Sequence, residues 1–340
     1  MTDATFSAAM TPPLGADHIA AKAPGPKEPG RRVRYDGRSL DLFWIYLKNL
    51  VLTFVTLGIY RFWATTRIRR FIWSHLRFLD EPFEYVGTGK ELFLGFLKAM
   101  LALIPIFIGL GVLDFLFFQF LPEFYWASEL LRFTIIMSLI YLGTYAAQRY
   151  RMSRTLWRGI RFQQAGSAWV YLGLAMRGLL LTVLTLGLYT PFVNVRLKSY
   201  EMNNLSFGSQ PFAFDGQGKD LFKPFLIAWA LALPTLFLSM FWFAARSYRY
   251  YASRLSVAGL RFAMPVTGLQ VAWLQISNLL LLVVSLGLLY PVVVRRTLDF
   301  WCQNLAVEGA VDFKKISQAE QGPKTGEGLA SYFGMDAVGV

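Results

Sequence analysis

From Leu92 to Leu121 the chain runs with Lys98 and Asp114 as its only charged residues. A helix needs ~20 apolar residues to cross a hydrocarbon core, so this run alone has the length of a crossing. Further apolar runs occupy Leu130–Ala147, Ala168–Val195, Leu221–Ala245 and Gly268–Val294. No ordinary soluble core takes up so many. Only 16% of the 340 residues are charged and 55% are hydrophobic, whereas soluble domains carry ~25% charge. The pattern predicts an all-α polytopic membrane protein.

The net charge of +13 and the pI near 9.8 raise the question of a nucleic-acid partner. The Lys and Arg residues cluster just beyond the apolar runs, however, where cytoplasmic loops of membrane proteins carry them. Membrane lipids, anionic ones above all, are therefore the expected partners, and nucleic acid is not. Cys302 is the single cysteine, and His18 and His75 are the only histidines. No internal disulfide and no Cys or His metal site follows from such a set. No paired-carboxylate, Ser/His/Asp or Cys/His arrangement is present either, so neither an enzyme nor a cofactor is expected. Residues 1–30 lack the apolar segment of a secretory signal. They and residues 318–340 read as disordered tails around a transmembrane domain, 31–317.

That domain contains self-similar segments. Thr56-Leu57-Gly58-Ile59-Tyr60 recurs as Thr185-Leu186-Gly187-Leu188-Tyr189 and, loosened, as Ser285-Leu286-Gly287-Leu288-Leu289-Tyr290. An offset of 129 residues pairs Arg67 with Arg196, Pro82 with Pro211, Phe83 with Phe212 and Glu91 with Asp220. An offset of 100 pairs Arg149 with Arg249, Arg154 with Arg254, Phe162 with Phe262 and Pro191 with Pro291. Three units result, about 40–160, 161–260 and 261–317. Within a unit, an apolar helix ends at Thr-Leu-Gly-aromatic and a basic aromatic segment follows. A short alternating stretch bounded by Gly and Pro, such as Leu205–Phe214, then reads as a β-hairpin in a cytoplasmic loop. The motif residues Gly58, Tyr60, Gly187, Tyr189, Gly287 and Tyr290 read as structural, with the glycines permitting a break or close packing.

The linker Pro122–Glu129 is acidic and aromatic, and the runs it joins have basic outer flanks, so this hairpin reads as in–out–in with a cytoplasmic N-terminus. The Thr-Leu-Gly segments are basic on both sides, which disfavours a single crossing. They are expected to be re-entrant or to lie in the interface, as is tolerated where backbone is protein-buried or lines water.

Few residues stand out as a site. Gly87-Thr88-Gly89-Lys90 lacks the earlier glycine and following hydroxyl of a phosphate-binding loop and reads as a strand-to-helix turn. Asp114 and Arg132 fall at similar depth either side of the outer linker. They are either a proton- or ion-coupled pair or, more plainly, a structural salt bridge. Lys48 and Arg177, with Asn49 and Asn278, occupy corresponding places and either line a path or, for the long side chains, snorkel to headgroups. Arg67, Arg69, Arg70, Arg149, Arg154, Arg249 and Arg254 lie among aromatic residues and are candidate lipid-headgroup ligands.

The ordered Thr-Leu-Gly-aromatic elements, each leading into an Arg-rich stretch, and the Gly-x-Gly-Lys-acid-Leu-Phe element together resemble the YjgN-like family of bacterial inner-membrane proteins over residues 31–317. The resemblance implies a multi-pass protein of the bacterial inner membrane and supplies no catalytic residues. Two functions are expected from the whole. One is a transporter or channel for a small solute or lipid, with Lys48, Arg177 and Asn278 on a polar path. The other is a non-transporting module that organises anionic lipid or protein partners through its basic aromatic face.

Overall fold

The computed structural model describes residues 31–309 and Ile316. Residues from Arg31 onward form one unit; the expected tails, 1–30 and 318–340, lie outside the described residues. The chain enters through two short strands, β1 (Arg31–Arg32) and β2 (Arg34–Tyr35). It continues into helices α1 (Ser39–Val55) and α2 (Arg61–His75) and a hairpin of β3 (Leu76–Phe78) and β4 (Glu81–Tyr85). The same order then recurs. Helices α3 (Gly89–Phe120) and α4 (Tyr125–Ser153) precede β5 (Thr155–Trp157) and β6 (Ile160–Gln164). Helices α5 (Ala168–Leu184) and α6 (Thr190–Asn203) precede β7 (Leu205–Phe207) and β8 (Gln210–Phe214). Helices α7 (Gly218–Ala230) and α8 (Leu238–Ser253) precede β9 (Leu255–Val257) and β10 (Leu260–Ala263). The series ends with α9 (Gly268–Val284), α10 (Tyr290–Asn304) and β11 (Ala306–Glu308).

The all-α expectation is overturned by these strands, which form one antiparallel sheet in the order β1-β11-β10-β9-β8-β7-β6-β5-β4-β3-β2. Its two ends, β1 and β2, are separated only by Val33. The sheet is therefore a closed ring, since β1 pairs with β11 (Arg31 opposite Val307) while β2 pairs with β3 (Arg34 opposite Arg77). Closure leaves no edge strand to pair with other chains. The sequence shows each hairpin locally but not the pairing between hairpins, as of Phe83 with Trp157 or Phe162 with Phe207, which joins stretches far apart in the chain.

The polytopic expectation is overturned as well. Among the described residues only Gly89–Phe120 and Pro122–Ser153 are long and apolar enough to cross a membrane. Their most apolar windows are just 6% and 11% buried against the protein, unlike core helices of a soluble fold. The runs Ala168–Val195, Leu221–Ala245 and Gly268–Val294 are not single helices. Each breaks in the middle and folds back on itself.

The break has one geometry. Leu57 and Gly58 take positive φ of 50° and 91°, as do Leu186 and Gly187 (49° and 91°) and Leu286 and Gly287 (50° and 84°). The Thr56 hydroxyl donates to Leu52 O (2.7 Å) and accepts from Tyr60 N (2.9 Å), while Gly58 N reaches Thr53 O at 2.7 Å. Thr185 and Ser285 bond in the same way to Leu181 O and Tyr189 N, and to Leu281 O and Leu289 N. A fourth turn, without the Thr-Leu-Gly sequence, follows Pro234 at Thr235-Leu236-Phe237. Thr235 bonds to Leu231 O and Ser239 N, and Phe237 holds φ of 65° where the others have glycine. Such a conformation costs an L-residue ~1–2 kcal/mol, which the closed hydrogen bonds of the turn offset.

Consecutive helices pack on one another from α1 to α10, and α10 returns onto α1. Tyr46 meets Tyr290 at 5.6 Å between ring centroids, and Arg295 Nη1 donates to Ser39 Oγ at 2.9 Å. A ring of helices thus continues the ring of strands. The N-caps Arg38, Thr88, Ser167, Gln217 and Thr267 are spaced by 50 residues, except that 79 separate Thr88 from Ser167. The excess lies in α3–α4, which is correspondingly long.

Candidate functional site

The strands place alternate side chains inside the ring. Phe83 stands opposite Trp157, Phe162 opposite Phe207, Phe212 opposite Val257 and Phe262 opposite Val307. Phe78 and Val33 complete the set. Phe78, Trp157, Phe207, Val257, Leu260 and Val307 are buried, and Ile316 packs against the same cluster. About eight strands is the size at which side chains just fill a barrel, and larger rings enclose ligand space. With β1 and β2 as one interrupted strand, this ring has ten strands. Its bulky wall at Trp157 and Phe207 faces slighter residues at Val33, Val257 and Val307, and a cavity of about 690 Å³ remains.

The cavity wall continues beyond the strands onto the last turns of α6, α8 and α10 through Lys198, Met202, Tyr248, Tyr251, Ala252 and Trp301. Lys198 is the one charged lining residue among those described. Its Nζ lies 3.1 Å from Glu201 Oε2, and Glu201 also accepts from the Tyr171 hydroxyl at 3.0 Å. Burial pushes the Tyr251 phenol up to about 12 and raises that of Tyr248, so both present neutral hydroxyls. The chemistry offered is that of a hydrocarbon-sized space with one paired cation at its wall. Volumes of ~300–1,000 Å³ with mostly apolar linings are typical of small-molecule sites. Among the described residues there is no group of three or more His, Cys, Asp or Glu positioned to hold a metal.

The residues singled out in the sequence lie elsewhere. Asp114 and Arg132 face each other at 3.2 Å across α3–α4, and Arg132 also pairs with Glu129. Asn49 is buried between α1 and α2, its amide donating to Ala64 O at 3.5 Å and its Oδ1 accepting from Arg67 at 3.5 Å. Asn278 is buried between α9 and α10 and donates to Thr297 Oγ1 at 3.2 Å. Where these two have asparagine, α5 has Gly178, and a Cβ there would run into Val193. Close helix approach explains the small or amide side chain at this level. Lys48 and Arg177 are exposed and line none of the cavities described here.

The candidate headgroup arginines divide into two kinds. Arg69 is buried and bonds the Tyr85 hydroxyl at 3.1 Å. Arg154 holds Glu91 Oε2 at 3.0 Å, where the Tyr150 hydroxyl donates at 2.7 Å, and this knot ties the start of α3 to the end of α4. Arg70 donates to Gly87 O at 2.7 Å in the strand-to-helix turn. Arg67, Arg149 and Arg249 are exposed, and Arg254 lies near Asp215 and Asp220 at 3.6 and 3.8 Å. In the motif, Tyr60 stacks on Trp63, Tyr189 on Phe192 and Tyr290 packs on Tyr46. The cavity residues come from separate hairpins and share no local motif. The available signal was the correspondence of Phe83 with Phe212 and Phe162 with Phe262.

A closed β-ring under a ring of helical hairpins, one of them of membrane-crossing length, is the class these features define. Residues 30–245 and 230–332 match the family described as "Bacterial protein of unknown function (DUF898)", and the chain belongs to that family. It is also similar to the "Inner membrane protein YjgN" of Salmonella typhimurium, with 40% identity over 63 residues. That match spans 18% of this chain and 16% of the relative's length. No solved structure matches the chain.

Proposed function

We propose that the protein is a bilayer-seated binding protein that takes the apolar chain of a membrane lipid into its β-ring. In this reading α3–α4 crosses the inner membrane, and the four shorter hairpins are re-entrant, entering the cytoplasmic leaflet without crossing it. The observation that carries the reading is the 690 Å³ cavity with its wall of Phe, Val, Leu, Met and Trp. Apolar ligands gain ~25 cal/mol for each Å² of apolar surface removed from water, and little else in this wall offers specific binding.

The helical end supports the seat in the bilayer. Leu57, Leu186, Leu236 and Leu286 at the hairpin tips are 92%, 82%, 84% and 92% exposed. Lipid leaves no backbone polar group unpaired, and the hydroxyl-closed turns meet that demand within themselves. A helix rises ~1.5 Å per residue, so α1, at 17 residues, reaches ~25 Å and α3, at 32 residues, ~48 Å. With α3 spanning a core ~30 Å thick, the tips of the shorter hairpins fall inside it.

The test uses the full chain in detergent and a dibrominated eighteen-carbon alcohol as a neutral apolar probe. Bromine on a chain in the cavity quenches Trp157, and this part of the quenching vanishes in Trp157→Phe. Filling the space with Val257→Phe and Val307→Phe is expected to weaken the quenching at least tenfold. Quenching that is the same in the wild type and in Trp157→Phe defeats the reading.

A further inference from the structure

Helix α8 serves two places with opposite faces. Tyr248, Tyr251 and Ala252 line the β-ring cavity. Arg246, Arg249, Tyr250, Ser253 and Arg254, on the other side of the same helix turns, line a separate recess of about 480 Å³ with Asp220 and Leu221 of α7. We infer that this recess is a binding site for the phosphate of an anionic phospholipid headgroup, held by Arg246 and Arg249.

The charges in the recess sort themselves. Asp220 accepts from the Tyr250 hydroxyl at 2.7 Å and lies 3.8 Å from Arg254, which also reaches Asp215 at 3.6 Å. Arg254 thus lies against both carboxylates, and the recess lining, with Arg246, Arg249 and Arg254 against Asp220, stays net positive. Arg246 and Arg249 are exposed and have no hydrogen-bond or ion-pair acceptor among the described residues. One helical turn apart on one face, they present two guanidinium forks to a single anion, the geometry that suits phosphate. The positive end of α7 opens beside them.

The other returning helices lack this pair. On α2 the corresponding residues are engaged, with Arg67 on Asn49 Oδ1 at 3.5 Å and Arg70 on Gly87 O at 2.7 Å. Helix α4 has Ala146 in place of the first arginine and α6 has Ser199 in place of the second. On α10, Arg296 donates to Ser277 Oγ at 2.8 Å and the second position is Asp299.

The neighbourhood favours a lipid over a soluble anion. Trp242, one turn nearer the hairpin tip on the same face, is 39% exposed, and Ile227, two turns along α7 on the face of Asp220, is 44% exposed. An aromatic and aliphatic belt directly above a pair of arginines matches the layering of chains above headgroups at a membrane interface.

The site is tested by thermal unfolding of the full chain in detergent with dioctanoyl phosphatidylglycerol, dioctanoyl phosphatidylcholine or inorganic phosphate. A ligand that binds the folded state alone raises Tm. Phosphatidylglycerol is expected to raise Tm in the wild type. Its excess over the phosphatidylcholine shift is lost in Arg246→Gln/Arg249→Gln and partly kept in Arg246→Lys/Arg249→Lys. An equal shift from inorganic phosphate supports the site and assigns it to a soluble anion. A phosphatidylglycerol shift undiminished in the Gln variant, or matched by phosphatidylcholine, overturns it. Quenching of Trp157 by the brominated alcohol is expected to be the same in the Gln variant, so the headgroup site and the cavity stand or fall separately.

Discussion

The α3–α4 hairpin leaves the β-ring through the same kind of strand-to-helix turn as its neighbours, capped by Thr88 as α5 is by Ser167 and α9 by Thr267. The shorter hairpins reverse at a turn that satisfies its own backbone through a Thr or Ser hydroxyl, with a bare leucine at the apex. The long hairpin reverses at Pro122-Glu123-Phe124, a polar turn with no such closure, and carries the Asp114–Arg132 pair just short of it. A turn meant for water can leave its polar groups to water; a turn meant for lipid cannot. On the proposed seating in the bilayer, the contrast gives the long hairpin an end in water and the short ones an end in lipid, from hydrogen bonds rather than from length.

The largest expected effect is all-or-none. In intact cells an impermeant thiol reagent labels Glu123→Cys, whereas Leu186→Cys is silent from either side; labelling of Leu186→Cys from outside breaks the comparison. Cys302 does not interfere, because burial first and Asp299 second push its thiol up to about 11. A raised folded-state pKa means that stability from the neutral thiol is complete below the unfolded value near ~8.5. It is lost as pH climbs through 11, a loss that Cys302→Ala should remove from the pH–Tm profile.

Next comes the ion pair of the long hairpin. Asp114→Asn leaves Arg132 with Glu129 as its remaining carboxylate partner and is expected to lower Tm in detergent. Asp114→Leu with Arg132→Leu should recover most of it; no recovery would mean the pair does more than balance charge. Thr185→Val removes both hydroxyl bonds of a short turn and is expected to cost ~2 kcal/mol, while Thr134→Val on α4, outside any turn, should change Tm little. The smallest effect is a gain. Phe237→Gly relieves the positive φ at some cost in chain entropy and should stabilise by ~0.5–1 kcal/mol.

What could be read from the sequence followed from how local the governing interactions are. The α3–α4 hairpin was legible because the run Leu92–Leu121, with Lys98 and Asp114 as its only charges, and an acidic linker speak for themselves. The Thr-Leu-Gly segments were legible as helix ends that disfavour a single crossing, because basic residues flank them on both sides, yet the hydroxyl-closed turn at Leu186 and Gly187 was not. At Thr235-Leu236-Phe237 the neighbouring Pro234 marks a candidate break, but the kinship with the other turns is hidden because Phe237 occupies the glycine position. The stretch Leu205–Phe214 was legible as a hairpin. The ring was not, because its closure depends on Arg32 meeting Ala306, a pairing with no local trace. The cavity followed the ring into obscurity, as its lining is assembled from every hairpin.

The junction at Val33 has a consequence for how the molecule is made. The strand that closes the ring is among the first parts of the described chain to be synthesised, and its partner β11 is the last. Until β11 emerges, β1 has nothing to pair with, and the growing sheet is open at β1 and at whichever strand is newest. Open edges invite wrong partners, so the cell handles a half-finished sheet for most of the chain's synthesis, and only the final strand turns it into a ring.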